Sequence, residues 1–382
     1  MDFTLTEEHR MVREMTRRFV ENEVKPFIRE WDRHGADPKI YARMAELGLL
    51  GLCIPRKWGG AGLDYISLGI ACEELEYGDT FLRVIMSVHV GLTALTLLAW
   101  GTEAQKERFL VPQATGQRLG AFCLTEPNAG SDVAGMQSTA RREGDHYLLN
   151  GEKIWISLAE MAHQYLVVAW TDMEKKARRD HSGMSAFIVE REREGVKPYT
   201  LHGKLGVRAG NTGGVVFENV AVPVQNRLGE EGEGFKIAMA LLDGGRIGIG
   251  AQGLGIAQAA LDAALEYSKQ RVQFGRTISS FQGIQFMLAD MAVQVDAARL
   301  LVYRAARMRD MGLPYAKEAS MAKMYATDTA MKVSTDAVQI FGGYGYSKEY
   351  PVERYMRDAK ITQIYEGTNQ IQRMVIAKNL LK

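Results

Sequence analysis

Glu366 is the residue whose surroundings are best suited to chemistry, in the segment QIYEGTNQIQR near the end of the chain. Apolar spacing at 352–361 and 369–381 predicts a helix on each side of it. Gly367 and Thr368 are typical of a turn followed by a helix N-cap. The carboxylate is therefore predicted on a short link, where it could act as a general base toward a substrate, although many connector glutamates are simply solvated.

Two segments of strand character carry polar and aromatic groups. In CLTEPNAGSD (123–132) a strand enters a turn that offers hydroxyls and free backbone N–H groups to a polar heterocycle or a phosphate. A plain hairpin turn is the alternative. In KIWIS (153–157) the alternation of a strand places Trp155 and Ser157 on one face, although half-buried strand aromatics usually belong to a core.

Glycines mark two places in a predicted long helix. GIGAQG at 248–253 matches the dinucleotide-binding pattern, but it continues a helical period instead of following a strand, so tight helix packing is the better interpretation. Gly244 and Gly245 each cost about 1 kcal/mol in a helix. A ligand or a second backbone that approaches closely would explain these glycines, and so would a helix kink. Asp243 and Arg246 flank the two glycines and form a small polar site with them.

The segment RVQFGR (271–276) follows the same predicted helix. Arg271 in it is a fixed cation of the kind that binds a pyrophosphate. A solvated arginine at a helix end is the alternative.

Composition excludes several classes of protein. The 382 residues imply two or three domains, and 47 Lys and Arg against 46 Asp and Glu argue against a nucleic-acid or membrane-surface binder. Cys53, Cys72 and Cys123 are scattered, which fits a reducing compartment and no metal site. The N-terminus lacks an export signal, and the apolar run near 90–100 is expected to be too short for a bilayer, so we expect a cytoplasmic protein.

The elements that position these residues fall into three parts. Residues 1–118 read as helical, with a capping box expected at Thr4 and Glu7 and an interruption at Pro26. Short strand-like pieces fill 119–228 and predict a small β-barrel or sandwich. Long helical periods return in 229–382 and indicate a helical bundle. The fold class is therefore α+β in three domains.

In order and spacing, six segments resemble the acyl-CoA dehydrogenase family over nearly the whole chain. They are CLTEPNAGSD, GEKIWIS, the DGGR region, RVQFGR, AVQIFGGYGY and IYEGTNQIQ. The likeness is greatest to short-chain and bacterial butyryl-type members. It implies an N-terminal helical domain, a middle β domain, a C-terminal four-helix bundle, a homotetramer built as a dimer of dimers, and FAD.

The resemblance also implies roles for individual residues. The residues implied to bind FAD are Thr125, Ser131, Trp155, Ser157, Arg271, Phe274, Gln282, Gln339, Gly343, Thr368 and Gln370. Those implied to bind substrate are Arg83, Ser87, Ser131, Asp243, Gly244, Gly245, Arg246 and Gly367. Arg271 and Gln282 would reach the cofactor across a subunit interface, and Ser131 and the 243–246 stretch would contact the CoA moiety.

Glu366 falls on the family's catalytic base. The resemblance implies that it removes the α-proton of a short- or branched-chain acyl-CoA while flavin N5 accepts the β-hydride, which gives a trans-2-enoyl-CoA in fatty acid β-oxidation. An electron-transfer flavoprotein would then take the electrons, with Trp155 as a contact. Some relatives carry the base at the position of Gly245, so here Glu366 has no rival.

Three alternatives stay open. Arg83 and Ser87 form an i, i+4 pair that glutaryl-CoA dehydrogenases share, and an unpaired buried arginine would suit a dicarboxylyl-CoA. Against this, Arg83 could point outward or pair with Glu73, Glu74 or Asp79. An oxidase on the same scaffold is the second alternative, and a non-catalytic acyl-CoA-binding relative is the third.

Overall fold

Helices form the first third of the computed structural model, which describes residues 4–382. They are α1 (Glu7–Phe19), α2 (Ile28–His34), α3 (Lys39–Glu46), α4 (Tyr65–Leu75), α5 (Thr80–Ile85), α6 (Leu95–Trp100), α7 (Glu103–Gln105) and α8 (Val111–Ala114). π-Helical turns continue α1 over Val20–Val24, join α5 to α6 over Met86–Ala94, and join α7 to α8 over Lys106–Leu110.

The start of α1 corrects one detail of the sequence interpretation. The expected capping box at Thr4 and Glu7 is wrong, because Thr6 is the N-cap and exchanges hydrogen bonds with His9 three residues later. Glu7 instead lies in the first turn, where a carboxylate favours the helix dipole. The interruption expected at Pro26 is confirmed, since a 3-10 turn over Lys25–Phe27 separates the π turn from α2.

The apolar run near 90–100 belongs to a longer helical stretch. Thr80–Trp100 is continuous over 21 residues with a mean hydropathy of 1.8, which is long and apolar enough to cross a membrane. However, 89% of that window is buried inside the protein. Its apolar character is accounted for by the core of the molecule.

One mixed sheet forms the middle of the chain. Its strands are β1 (Gly120–Cys123), β2 (Thr139–Glu143), β3 (His146–Ser157), β4 (Gln164–Trp170), β5 (Met184–Glu190), β6 (Val196–Thr200), β7 (Thr212–Pro223) and β8 (Arg227–Leu228). The order is β6-β7-β3-β2-β4-β5-β8, with β1 paired in parallel to β4. The strands thus form the β domain that the sequence predicted, as one branched sheet, and the short helix α9 (Met173–Ala177) lies between β4 and β5.

Long helices return after the sheet, which confirms the α+β class. They are α10 (Gly234–Gln270), α11 (Gln282–Asp310), α12 (Ala316–Phe341), α13 (Val352–Thr362) and α14 (Asn369–Leu380). Between α10 and α11 the RVQFGR segment forms a hairpin of β9 (Val272–Gln273) and β10 (Arg276–Thr277).

The GIGAQG glycines lie inside α10, where they allow close packing against α12. A Cβ on Gly253 would lie 2.7 Å from the carbonyl oxygen of Ala326, and one on Gly250 would lie 3.4 Å from the backbone of Ala322. The helix runs unbroken through Gly244 and Gly245. Helix packing, not dinucleotide binding, therefore accounts for this pattern.

Candidate active site

Glu366 lies on the link between α13 and α14, as its neighbours predicted. Thr368 caps α14 by accepting a hydrogen bond from the backbone N–H of Ile371. Glu366 and Gly367 both have positive φ, at 52° and 88°. A non-glycine residue in this region is strained by about 1–3 kcal/mol, so the surrounding contacts must hold the turn. Gln372 Nε2 supplies two of them, donating to the carbonyl oxygens of Gly367 at 2.8 Å and Glu366 at 3.3 Å.

The Glu366 carboxylate has one bonded oxygen and one free oxygen. Ser87 Oγ donates to Oε1 at 3.0 Å. Oε2 is buried and has no hydrogen-bond partner within residues 4–382. A Cβ on Gly245 would lie only 2.2 Å from Oε2, so the glycine in α10 makes room for this oxygen. The structure thus leaves one carboxylate oxygen available for a reacting proton.

Burial raises the pKa of Glu366 above its ordinary value, because removal from water disfavours the charged form. The positive charges of Arg83, Lys323 and Arg246 and the hydrogen bond from Ser87 oppose this shift. A carboxylate with a raised pKa is a stronger base once it is ionised, and the surrounding cations keep ionisation attainable.

Arg83 lies next to this carboxylate in a buried polar cluster. Its Nη2 donates to Gln252 Oε1 at 2.5 Å and to Tyr365 Oη at 2.6 Å, and its Nε lies 3.6 Å from Glu76 Oε1. Nε and Nη1 have no hydrogen-bond acceptor among the described residues. Burial also raises the pKa of Glu76 to about 8. Arg83 is therefore a buried cation with unused donors.

The partners expected for Arg83 were wrong, and so was the outward orientation. Arg83 is fully buried. The three carboxylates proposed for it bind other arginines: Glu73 with Arg299, Glu74 with Arg17, and Asp79 with Arg354. Sequence proximity suggested those pairs, whereas the helix presents Glu76 to Arg83 instead.

A polar group on α10 lies around Arg246, whose charge also acts on Glu366. Asp243 accepts from Arg246 Nη1 at 2.5 Å, and Tyr65 Oη donates to the carbonyl oxygen of Gly244 at 2.8 Å. Arg246 is buried, and its Nε has no acceptor in the described part of the chain. Ser131 lies elsewhere, exposed on the turn after β1. These groups could bind phosphate or amide oxygens of an extended ligand.

Thr125, Trp155 and Ser157 form a second group on the middle sheet. The carbonyl oxygen of Thr125 accepts from the backbone N–H of Ile154 at 2.9 Å, which joins the two segments. Neither the Thr125 nor the Ser157 hydroxyl has a partner within residues 4–382. Trp155 is 61% exposed and has a φ of 61° in a β-bulge, so it is not a core aromatic and the alternation expected there is interrupted.

A third group lies at the exposed end of the C-terminal helices. Its members are Arg271, Phe274, Gln282, Gln339 and Gly343. The Arg271 guanidinium lies 5.3 Å from the Tyr344 ring centre and has no carboxylate partner in the described chain. Phe274 is 95% exposed at the tip of the β9–β10 hairpin. No hydrogen bond or ring contact joins this group to Thr125 or Trp155 across residues 4–382.

These two groups fit FAD in chemical character. Unpartnered hydroxyls beside an exposed indole suit the edge and face of a polar tricyclic ring, and an unpaired arginine suits a pyrophosphate. Thr368 and Gln370 lie at the start of α14, next to the carboxylate.

Sequence reasoning missed four polar side chains of the site. They are Glu76, Gln252, Lys323 and Gln372, all buried. Lys323 carried a signal, since it stands in a run of buried small residues of α12 that includes Ala319, Ala322 and Ala326. A charged residue on an apolar helix face is costly unless something binds it.

Comparison with known proteins identifies the family of the chain. Three family models match in order: acyl-CoA dehydrogenase N-terminal domain at 6–117, middle domain at 121–220 and C-terminal domain at 232–381. A short-chain-specific acyl-CoA dehydrogenase of Clostridium acetobutylicum is 48% identical, covering 100% of both chains.

Three solved structures are also similar over the full chain. The butyryl-CoA dehydrogenase from Megasphaera elsdenii has a TM-score of 0.97 at 48% identity, covering 100% of both chains. A chain from a study of the electron transferring flavoprotein of Acidaminococcus fermentans has 0.97 at 50%, with the same coverage. A glutaryl-coenzyme A dehydrogenase with glutaryl-CoA has 0.95 at 41%, covering 100% of this chain and 97% of that one.

The fold of two helical domains and a mixed sheet, together with these matches, defines the class of flavoprotein oxidoreductases. The full-length matches narrow the class further. The chain belongs to the acyl-CoA dehydrogenase family. FAD is the cofactor of that family, as the sequence resemblance implied.

Proposed function

We propose that this chain oxidises a short- or branched-chain acyl-CoA to the trans-2-enoyl-CoA, with Glu366 as the base that removes the α-proton. The free, buried Oε2 of Glu366 carries the proposal, because it is an acceptor that the protein leaves without a donor. Leaving a buried acceptor unpaired costs about 1–3 kcal/mol. This cost is explained if the oxygen is kept free to accept the α-proton of a substrate placed against it. Ser87 orients the carboxylate through Oε1.

The remaining residues would bind and orient the two ligands. Gly367 would contact the thioester, and Asp243, Gly244, Arg246 and Ser131 the CoA moiety. FAD, when bound, supplies the acceptor for the electrons that leave with the β-hydrogen. Thr125, Ser157, Trp155, Thr368 and Gln370 would hold it from one subunit, and Arg271, Phe274, Gln282, Gln339 and Gly343 from another. The last group's exposure supports this division.

A homotetramer, a dimer of dimers, is part of the same proposal. The face of α11 exposes Phe286, Val293 and Leu300 at intervals of seven residues, so they form one apolar stripe. Exposed stripes of this kind mark protein interfaces. We also propose a cytoplasmic location, an electron-transfer flavoprotein as partner, and domain divisions at 1–118, 119–228 and 229–382. The three free cysteines support the cytoplasmic location. The limits of the three family models support the domain divisions.

The decisive experiment is Glu366→Gln assayed with butyryl-CoA and an artificial electron acceptor. We expect turnover to fall by about 10²–10⁴-fold, the usual contribution of a general base. Flavin content and thermal unfolding should stay at wild-type levels, because the amide keeps the size of the carboxylate. Glu349→Gln, an exposed position, is the matched control. Normal turnover by Glu366→Gln would overturn the proposed role.

The cluster around Arg83 supports a second candidate, a dicarboxylyl-CoA such as glutaryl-CoA. The buried Nε and Nη1 of Arg83 lack acceptors, and a distal carboxylate could supply them. Glu76 Oε1 lies 3.6 Å from Arg83 Nε, so it balances part of the charge when it is ionised, and a neutral acyl tail is then also accommodated.

Comparing glutaryl-CoA with butyryl-CoA separates the candidates. If glutaryl-CoA is the substrate, its kcat/KM exceeds that of butyryl-CoA. Arg83→Met should then reduce the ratio of the kcat/KM for glutaryl-CoA to that for butyryl-CoA by about 10²-fold or more, as expected when a buried charge loses its partner. If the ratio is unchanged in Arg83→Met, the second candidate fails while the first stands.

A further inference from the structure

Lys323 is a buried lysine in the middle of α12 to which the proposed function assigns no role. Its side chain is fully buried and has no carboxylate in salt-bridge distance in the part of the chain the structure describes. Nζ donates to the carbonyl oxygen of Gly367 at 2.9 Å and to Asn369 Oδ1 at 2.8 Å. Burying an ammonium with only neutral acceptors costs several kcal/mol, so its position calls for a reason.

Both acceptors lie within three residues of Glu366, one on the link and one at the start of α14. Gly367 follows Glu366 directly, and Asn369 is the first residue of α14. The two consecutive positive φ values make this turn conformationally costly, and Lys323 is one of only two side chains that bond its carbonyl oxygens within residues 4–382. The other is Gln372. Lys323 thus anchors the peptide on which the carboxylate stands.

We propose that Lys323 is a positioning residue for the reaction, fixing the Glu366–Gly367 turn through two hydrogen bonds and favouring the ionised form of Glu366 through its charge. The inference rests on the proposed role of Glu366 as the base.

Charged groups on three elements face Lys323. They are Glu366 on the link, Asp328 on α12 itself and Arg246 on α10. Burial lowers the pKa of Lys323 to about 7, with Arg246 acting in the same direction and the two carboxylates against it. Lys323 is therefore charged below about pH 7, where its charge favours ionised Glu366. Above that pH the neutral amine still has N–H donors for Gly367 and Asn369.

Lys323→Met removes both effects while keeping the length of the side chain. The fold should survive, since Gly367 keeps a donor in Gln372 at 2.8 Å and Asn369 Oδ1 keeps Thr327 Oγ1 at 3.3 Å. We expect kcat to fall about 10- to 100-fold through misplacement of the base, and KM to change less than about twofold. The acid limb of the pH profile should move up by about one unit, because a favourable charge is lost.

Lys332→Met is the matched control, an exposed lysine on the same helix that pairs with Asp336. Lys323→Gln is the second variant, and it keeps an N–H donor without the charge. It should regain part of kcat and still show the shifted acid limb. If Lys323→Met does not fold, Lys323→Gln carries the same pH test.

An infrared band of the Glu366 carboxyl group, assigned by its loss in Glu366→Gln, follows ionisation without turnover. It should titrate at higher pH in both Lys323 variants. The positioning role would be overturned if both Lys323 variants kept the wild-type pH profile and the wild-type titration of the Glu366 carboxyl group while Glu366→Gln was inactive. Activity in Glu366→Gln would instead overturn the base itself.

Discussion

Gly245→Ala tests whether α10 must lack a side chain for Glu366 to work. The added Cβ would lie 2.2 Å from Glu366 Oε2 and 2.8 Å from Leu92 Cδ2, whereas ordinary contact begins at 3.4 Å. The carboxylate oxygen therefore has to move by about 1.2 Å, the difference between these distances. A displacement near 1 Å in a reacting group costs about 10²-fold in rate, or about 2.7 kcal/mol of transition-state stabilisation.

Stability should change little while activity falls. Alanine is favoured over glycine inside a helix by up to about 1 kcal/mol, and the carboxylate is a movable side chain. We therefore expect kcat/KM to fall about 10²-fold while the free energy of unfolding stays within about 1 kcal/mol of wild type. Steady-state kinetics and chemical denaturation measure the two quantities.

Gly248→Ala is the matched control one turn further along α10. Its Cβ would meet only Ser87 Oγ at 3.7 Å, which is ordinary contact. It should gain the helix propensity and keep its activity. If Gly245→Ala retained full kcat/KM, the reasoning that Oε2 occupies the space left by this glycine would be refuted.

Two further predictions follow from the same contacts. The logarithm of kcat/KM should decline as pH falls through the raised pKa of Glu366, since protonation removes the base, and this limb should lie above the ordinary carboxylate range near pH 4.3; a limb at the ordinary value would contradict the burial argument. Gly253→Ala should destabilise the protein by about 1–3 kcal/mol in denaturant, because its Cβ meets Ala326 backbone at 2.7 Å and α12 must shift; unchanged stability would contradict that packing.

Much of the fold was predictable because it depends on neighbours in sequence. The period of the long helices, the Thr368 cap and the turn at Gly367 are local patterns, and the structure has each of them. The prediction of local detail was wrong where two nearby residues could both serve as the cap, as with Thr4 and Thr6 at the start of α1. It failed again in β3, where a β-bulge at Trp155 interrupts the alternation expected for KIWIS.

The sequence predicted which residues belong to the site better than it predicted the contacts between them. Glu366, Ser87, Gly245 and Arg246 were named from residue types and from the family resemblance, and the structure brings them together. The partner of Arg83 was not predictable, since the choice among nearby acids depends on which helix face turns toward it.

The sequence by itself determined a three-part chain with a carboxylate on a short link between two helices, because caps, glycines and apolar periods act over a few residues. Only the tertiary structure decided what surrounds that carboxylate. Arg83 meets Tyr365 across 282 positions, and Lys323 meets Gly367 across 44. Such contacts depend on how whole helices pack, and the direction of a buried polar side chain follows from that packing.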